Sequence, residues 1–403
     1  MLRIIHTADF HVDDKNIEEA RKCLSFLVKT VKTEKPDLVA IAGDIWNSEN
    51  VKLDSLSAKL VFRIVTELAD VAPVFCITGT KSHDGTASEA LRYIYAKNQV
   101  FVSTMPEQIY LMHDKSFTTD TTDLLPILII SSIPTPTKQY FQSAPGADID
   151  STNKEIATTM SAILGGFGAK VQKHDCSHVL IGHFSIGGAF VADNQQLLGV
   201  DIELSTDQLD LASTSLNMLG HIHYAQCLGD KKTFYSGDIF QSDFGEVGQE
   251  KGFYLHEIDD ATGLLSKSTF IPTPYTHLYK LTYDLTDPQT DFKLPFTQEN
   301  KDNVKDAVVK VEIKVYEDEV TKIDREGLER NLSEAKSHDI KIIRCPRENV
   351  RSENILKLTK LREKLTEMAR LKNEEVPESI LTKADMLESM EGDEIVKNAA
   401  TCR

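Results

Sequence analysis

No stretch of this chain approaches the ~20 consecutive apolar residues that a membrane-spanning helix needs, and charged residues interrupt its longest apolar runs. The opening stretch MLRIIHTADFHVDD lacks a basic segment followed by an apolar one, so no signal peptide is expected. Cysteine is sparse. Cys23, Cys76, Cys176, Cys227, Cys345 and Cys402 are scattered without a CxxC pair, and several sit among apolar neighbours, the pattern of reduced core thiols. These absences point to a cytoplasmic protein with no membrane partner. A basic surplus is missing too: 45 Lys and Arg face 62 Asp and Glu, a net charge of −17. That argues against a simple nucleic-acid-binding module, since phosphate binding normally needs a basic surface. It fits an acidic metal site, and it leaves room for a DNA enzyme that meets phosphate through metals, a local basic patch or a basic partner. Internal repeats and low-complexity tracts are absent as well.

What is present is core material. With 403 residues, 41% of them hydrophobic, the chain can bury two or three domains. Short apolar runs at Leu2–Ile5, Leu38–Ile41, Val74–Ile77, Ile127–Ile130 and Val179–Ile181 predict strands. Helical stretches lie between several of them, at Ile17–Thr33, Leu53–Leu68 and Glu155–Lys170. This alternation predicts an α/β domain whose sheet is buried on both faces. The later strands Thr233–Tyr235 and Gly252–Ile258 follow without long helices, which suggests a mixed or two-sheet arrangement. A Pro/Thr-rich stretch, FIPTPYTH at Phe270–His277, breaks the rhythm and sets a domain edge. Domains are expected at 1–272, 273–350 and 351–403. The second reads as β-α-β: strand Val308–Tyr316, helix Asp324–Ser337, strand Ile340–Ile343. From Asn354 onward, Ile355, Leu358, Leu361, Leu365, Met368 and Leu371 form one apolar stripe on a charged helix.

Five polar clusters sit at or just beyond apolar strand ends. They are His6-Thr7-Ala8-Asp9-Phe10-His11, Gly43-Asp44 within AGDIWN, Ser82-His83-Asp84 within ITGTKSHDG, Gly182-His183, and Gly220-His221-Ile222-His223. In an α/β sheet the carboxyl ends of strands share one edge, so residues distant in sequence meet there. Asp-x-His and His-x-His place alternate side chains on one side of an extended backbone. Any one cluster is commonly a surface strand or loop. The ordered set DxH, GD, HD, GH, GHxH predicts a dimetal centre. Mixed imidazole and carboxylate ligation suits Mn²⁺, Fe²⁺ or Zn²⁺. Two ions bridged by one carboxylate, for which Asp44 is the natural group, are apparatus for in-line displacement at phosphorus. His6 reads as a packed strand histidine, Asp13 and Asp14 as a solvated turn, and Trp46 as packing.

This signature resembles that of the calcineurin-like metallophosphoesterases, and more closely that of the SbcD-type DNA repair nucleases. HTADFH resembles their HTSDWH, and AGDIWN their GDIFD. Tyr235–Asp238, Ser242–Glu246 and Lys251–Phe253 resemble YSGS, SFGE and KGF. The likeness covers about residues 1–280 by motif and the remainder only in layout. It implies a two-sheet β-sandwich flanked by helices, then a small α/β capping domain that binds DNA, then C-terminal helices. By that resemblance Asp9, His11, Asp44 and His223 hold the first ion, and Asp44, Ser82, His183 and His221 the second. The ions are most often Mn²⁺, with Mg²⁺, Fe²⁺ or Zn²⁺ as alternatives. His83 faces the scissile phosphate, and Asp84 orients His83 or buttresses the turn. The family's GNHD asparagine is missing. Aligning on His83 puts Ser82 in its place, with Thr80 or water as alternatives. The implied activity is a 3′–5′ exonuclease and single-strand or hairpin endonuclease. The implied partners are DNA, a second copy of the chain, and an SbcC-like P-loop ATPase at the C-terminal helices. No GxxxxGK[ST] occurs here, so any ATP dependence comes from a separate polypeptide. Competing readings are a phosphodiesterase for small nucleotides or phosphoproteins, and an inactive scaffold for the ATPase.

Overall fold

The computed structural model describes residues 1–120, 125–136, 149–171, 176–192, 195–196, 203–287, 291–347, 355, 357–372 and 374–389. Two mixed sheets stack face to face. The first has the order Leu265–Pro272, Gly252–Ile258, β1 (Leu2–Thr7), β2 (Leu38–Ile41), β3 (Val74–Ile77), β4 (Val100–Ser103). Strands β1 to β4 run parallel, and Gly252–Ile258 closes the other side antiparallel to β1. The second sheet has the order Gln226–Cys227, Thr233–Tyr235, Leu216–Gly220, β8 (Ser177–His183), β7 (Leu128–Ile133), β5 (Glu107–Leu111), β6 (Phe117–Thr118). Leu216–Gly220 and β7 lie parallel to β8 on either side of it.

The near-continuous apolar runs follow from burial on both faces. Ile4, Leu38, Ala40 and Phe75 point between the sheets, against Ile130, Val179, Ile181 and Met218. Their neighbours Ile5, Val39, Ile41 and Val74 point outward, under helices α1 (Ile17–Glu34) and α2 (Leu56–Ala69). The helix Ile149–Val171 covers the outer face of the second sheet, where Ile156, Met160 and Leu164 pack on Leu180 and Leu219. The result is helices, sheet, sheet, helix, the architecture expected. Helix α2 starts three residues later than its apolar pattern suggested. Ser55 is its N-cap, its Oγ accepting from the Ala58 N–H at 3.1 Å, so Leu53 and Asp54 stay outside.

The chain divides into two compact units. One comprises Met1–Thr282, Pro295–Glu312 and Glu326–Lys341; the other comprises Tyr283–Leu294, Ile313–Arg325 and Ile342–Arg403. After the two large sheets comes a three-stranded sheet ordered Leu278–Asp284, Val308–Tyr316, Ser337–Cys345. The expected β-α-β element is there with one more strand, and its helix is only Arg325–Asn331. The C-terminal helix also differs from its stripe. It runs Leu361–Lys372, because the chain leaves helical geometry at Leu358–Lys360, and a second helix follows at Glu378–Ser389. Residues 351–354 and 390–403 of the expected third domain lie outside the described residues. Among those described, no helix is long and apolar enough to cross a membrane, and Cys23, Cys76, Cys176, Cys227 and Cys345 are free thiols.

Candidate metal centre

Both sheets deliver their strand ends to one place. Asp9 and His11 follow β1, Asp44 follows β2, Thr80 to His83 follow β3, and His183 ends β8. His221 and His223 follow Leu216–Gly220. The turns that carry them are forced. Asp9, His11, Asp44 and His221 adopt positive φ, at 52°, 43°, 50° and 92°. Such geometry costs a non-glycine residue roughly 1–3 kcal/mol and persists only where neighbours impose it. The imposing contacts are the Asp9 N–H donating to the Gly43 carbonyl (3.0 Å), the His11 N–H to the Asp44 carbonyl (3.1 Å), and the His221 N–H to the Asp9 carboxylate (3.0 Å). Two glycines make room for this. A Cβ on Gly79 would collide with the Asp44 carboxylate, and one on Gly43, itself at φ +89°, would lie 2.5 Å from His183 Nδ1.

The donor atoms then fall into overlapping groups, each within 4.8 Å: Asp9, His11 and His223; His11, Asp44 and His83; Asp44, His183 and His221. Asp44 lies between the sets, with Oδ2 3.2 Å from His183 Nε2 and 3.9 Å from His11 Nε2. His183 is held with Nε2 inward, because its Nδ1 lies 2.7 Å from the Ala42 carbonyl and donates to it. His11 Nε2 and His223 Nε2 approach to 3.0 Å. Two imidazole lone pairs repel at that distance unless a proton or a cation lies between them. This donor chemistry fits divalent ions of the Mn²⁺, Fe²⁺ or Zn²⁺ type.

The electrostatics agree. Burial lowers the affinity of His183 for a proton, but Asp44 and Asp9 outweigh it and raise its pKa to about 9. Burial opposes protonation of His223 as well, and Glu246 and Asp238 reverse it, again to about 9. Burial would raise Asp44, yet His183, His11 and His83 hold it well below the carboxylate range. Burial pushes Asp9 up to about 6. Burial, then the charge of His223, pushes His11 down to about 3. A pocket that draws protons onto two imidazoles well above neutrality is one that attracts cations.

The loop after β3 bears on the place of the missing asparagine. Ser82 is exposed, in a short helix Lys81–Asp84. Thr80 sits in the site instead. Its N–H donates to Asp44 Oδ1 at 2.5 Å, and its hydroxyl lies 3.2 Å from Asp44 Oδ2 and 3.4 Å from His183 Nε2. His83 does reach the centre, with Nδ1 2.8 Å from His11 Nδ1 and 3.8 Å from Asp44 Oδ2, and its side chain is 33% exposed. Asp84 turns away from it. Its fully buried carboxylate accepts from the N–H groups of Gly79 (2.7 Å), Ile45 (2.9 Å), Asp44 (3.1 Å) and Trp46 (3.2 Å). Asp84 thus ties the Gly79 turn to the Asp44 turn, the buttressing role of the two expected. His6 is a packed strand residue, 3.1 Å from the Leu219 carbonyl and 3.3 Å from His256.

Over 288 residues, 67% of this chain and 69% of that protein, the sequence is 26% identical to the SbcD component of the nuclease SbcCD of Staphylococcus epidermidis. The chain is thus similar to SbcD over two thirds of its length, and it gathers candidate donor sets for a dimetal centre. No protein-family model matches it. Among solved structures, a dimetal phosphatase from Danio rerio is similar at TM-score 0.40 and 12% identity, over 68% of this chain and 99% of that one.

The centre carries further charged groups to which sequence reasoning gave no role. Glu246 Oε1 lies 2.9 Å from His223 Nδ1, and Asp238 Oδ2 lies 3.7 Å from it. Lys251, with no exposed side-chain surface, ion-pairs with Asp238 at 2.5 Å. The available signal was local. Glu246 and Lys251 are the charged members of the SFGE-like and KGF-like stretches.

Proposed function

We propose that this chain is a metallophosphoesterase and the nuclease component of a DNA end-processing complex: a 3′–5′ exonuclease and single-strand or hairpin endonuclease, dimeric, working with an SbcC-like ATPase. The carrying observation is the pair of His/Asp donor sets sharing Asp44, open to solvent on the side of His83 and His223, whose side chains are 33% and 32% exposed. The 26% identity to a nuclease component supports the substrate class. Two ions at such a site would supply positive charge for the phosphate and lower the pKa of water. The chain's own part is to hold them and to place His83 beside them, where an imidazole can give or share a proton with an oxygen of the substrate. Asp44 orders the centre from between both sets, and Thr80 fixes Asp44 in turn.

The net charge of −17 favours the second reading, a phosphodiesterase for small nucleotides or phosphoproteins. The inactive-scaffold reading arose from the lost asparagine, and the retention of every other donor opposes it. Manganese-dependent degradation of an end-labelled duplex, run beside a nucleotide ester, separates the three. Duplex degradation supports the nuclease, ester hydrolysis alone supports the second reading, and inertness toward both supports the scaffold. The ATPase contact is assigned to the C-terminal hairpin. Arg362 bonds Glu378 (2.6 Å) and Asp385 (2.5 Å) across its two helices, while Met368, Ile380, Met386 and Leu387 stay exposed. Deleting the chain from about residue 354 should abolish co-purification with an SbcC-like ATPase and spare manganese-dependent hydrolysis. Loss of hydrolysis would place the hairpin in the fold of this chain.

A further inference from the structure

His223 differs from the other imidazoles of the centre in how it is held. The His183 side chain has no exposed surface and that of His11 is 5% exposed, so packing fixes both rings. The ring of His223 is a third exposed and stands on a loop beyond the last residue of its strand. Packing alone leaves it free to flip, which would turn Nδ1 toward the ion. Its orientation therefore has to come from hydrogen bonds, and the structure provides a frame for them.

Glu246 Oε1 stands 2.9 Å from Nδ1, where a carboxylate accepts the Nδ1–H and leaves Nε2 as the bare donor atom facing His11. Glu246 is itself fixed, its Oε2 accepting from the Ser242 N–H at 2.8 Å. Behind it lies Lys251. Its ammonium donates to the His223 carbonyl at 3.1 Å and to Gln249 Oε1 at 3.0 Å, and it lies 2.5 Å from Asp238 and 3.5 Å from Glu246. One ligand is thus gripped twice, by its ring through Glu246 and by its backbone through Lys251. Donor atoms of His223, Asp238 and Glu246 also lie close enough together to hold an ion. That space already has its cation, the Lys251 ammonium, so the cluster is a support and not a third metal site. Buried ion pairs of this kind are weak contributors to stability, since desolvation offsets their attraction. Their value here is orientation.

We propose that Glu246 is the positioning residue for His223, selecting the tautomer and ring orientation that present Nε2 to the first ion, with Asp238 and Lys251 as its frame. The inference rests on the dimetal reading of the site. Carboxylate partners of metal-binding imidazoles typically raise metal affinity by about 10- to 100-fold.

The test is a manganese titration of the full chain by calorimetry, with wild type, Glu246→Gln and Glu246→Ala, each also melted without metal. A graded loss of affinity, Ala worse than Gln, is expected for one ion of two. Glu246→Gln should lose up to about 10-fold and Glu246→Ala about 10- to 100-fold, and the metal-free melting temperature of Glu246→Gln should stay within a few degrees of wild type. If Glu246→Ala does not fold, the near-isosteric Gln variant decides. Wild-type affinity for both ions in Glu246→Gln and Glu246→Ala overturns the proposal, as does an equal loss at both ions, which would mean general collapse of the centre. A wild-type chain that takes up no manganese defeats the dimetal reading itself, and the inference with it.

Discussion

Asp84 gives the most exposed test of how the loops around the metal centre are held. Its carboxylate accepts four backbone N–H groups, two through each oxygen, and no water reaches it. Burial, with the nearby Asp44 charge, pushes its pKa up to about 7, against the four donors that favour the ionised form. Asp84→Ala strands all four. A buried N–H without a partner costs roughly 1–3 kcal/mol. A water entering the vacated space could satisfy about two of them, and the cost of desolvating the carboxylate disappears. The balance is a loss of about 3–5 kcal/mol, at the upper end for single substitutions. For a unit of this size that corresponds to roughly 10 °C in melting temperature. Both turns tied by Asp84 serve the centre, since one carries Asp44 and the other Thr80, so manganese affinity should fall in the folded fraction as well. Urea unfolding with an unchanged m-value, followed by a manganese titration at low temperature, reads both effects. A melting temperature within about 2 °C of wild type, with unaltered manganese affinity, would refute the clamp.

Other outcomes follow from the same geometry. Ser82→Ala should leave the manganese requirement unchanged, whereas Thr80→Asn, which restores an amide oxygen beside Asp44, should lower the manganese concentration that gives half-maximal activity; the reverse pattern would return the ligand to Ser82. His83→Ala should lose about 10²–10⁴-fold in turnover while keeping both ions, and loss of an ion would make His83 a ligand. Burial pushes His6 and His178 down to about 3 and about 4, so both are neutral in the folded protein and protonate near 6.5 when it unfolds. Their contribution is complete above about pH 6.5 and is lost as pH falls toward 4, by up to about 1.4 kcal/mol per pH unit for each. His178→Gln should therefore flatten the stability–pH slope between pH 5 and 6 by about that amount. A parallel curve, merely shifted, would contradict the buried neutral histidine.

The site was legible where chemistry and local geometry coincide. Asp9, His11, Asp44, His183, His221 and His223 each follow an apolar strand, so the strand pattern alone brought them to one edge. The substitute for the asparagine was not legible, because Lys81-Ser82 lengthen the turn and two alignments compete. Counting back from His83 chose Ser82. In the fold, Gly79 lies against Asp44, which puts the next residue, Thr80, on its carboxylate. Strands β4 and β5 escaped notice because no helix separates Val100–Ser103 from Glu107–Leu111. The C-terminal stripe was correct in periodicity, but an apolar period does not reveal the break at Leu358–Lys360. Glu246 was invisible as a partner of His223 because the pairing arises in the folded chain, between separate loops.

The central claim is that Asp44 lies between two divalent ions. Crystals of the full chain grown or soaked with Mn²⁺, measured at the manganese edge, test it directly, with Asp44→Ala treated identically. The account predicts two anomalous peaks roughly 3.5–4 Å apart, one nearest His11 and His223 and the other nearest His183 and His221, both against the Asp44 carboxylate. In Asp44→Ala at least one should vanish along with phosphodiester hydrolysis. A single peak, or two that survive in Asp44→Ala with hydrolysis intact, would contradict it.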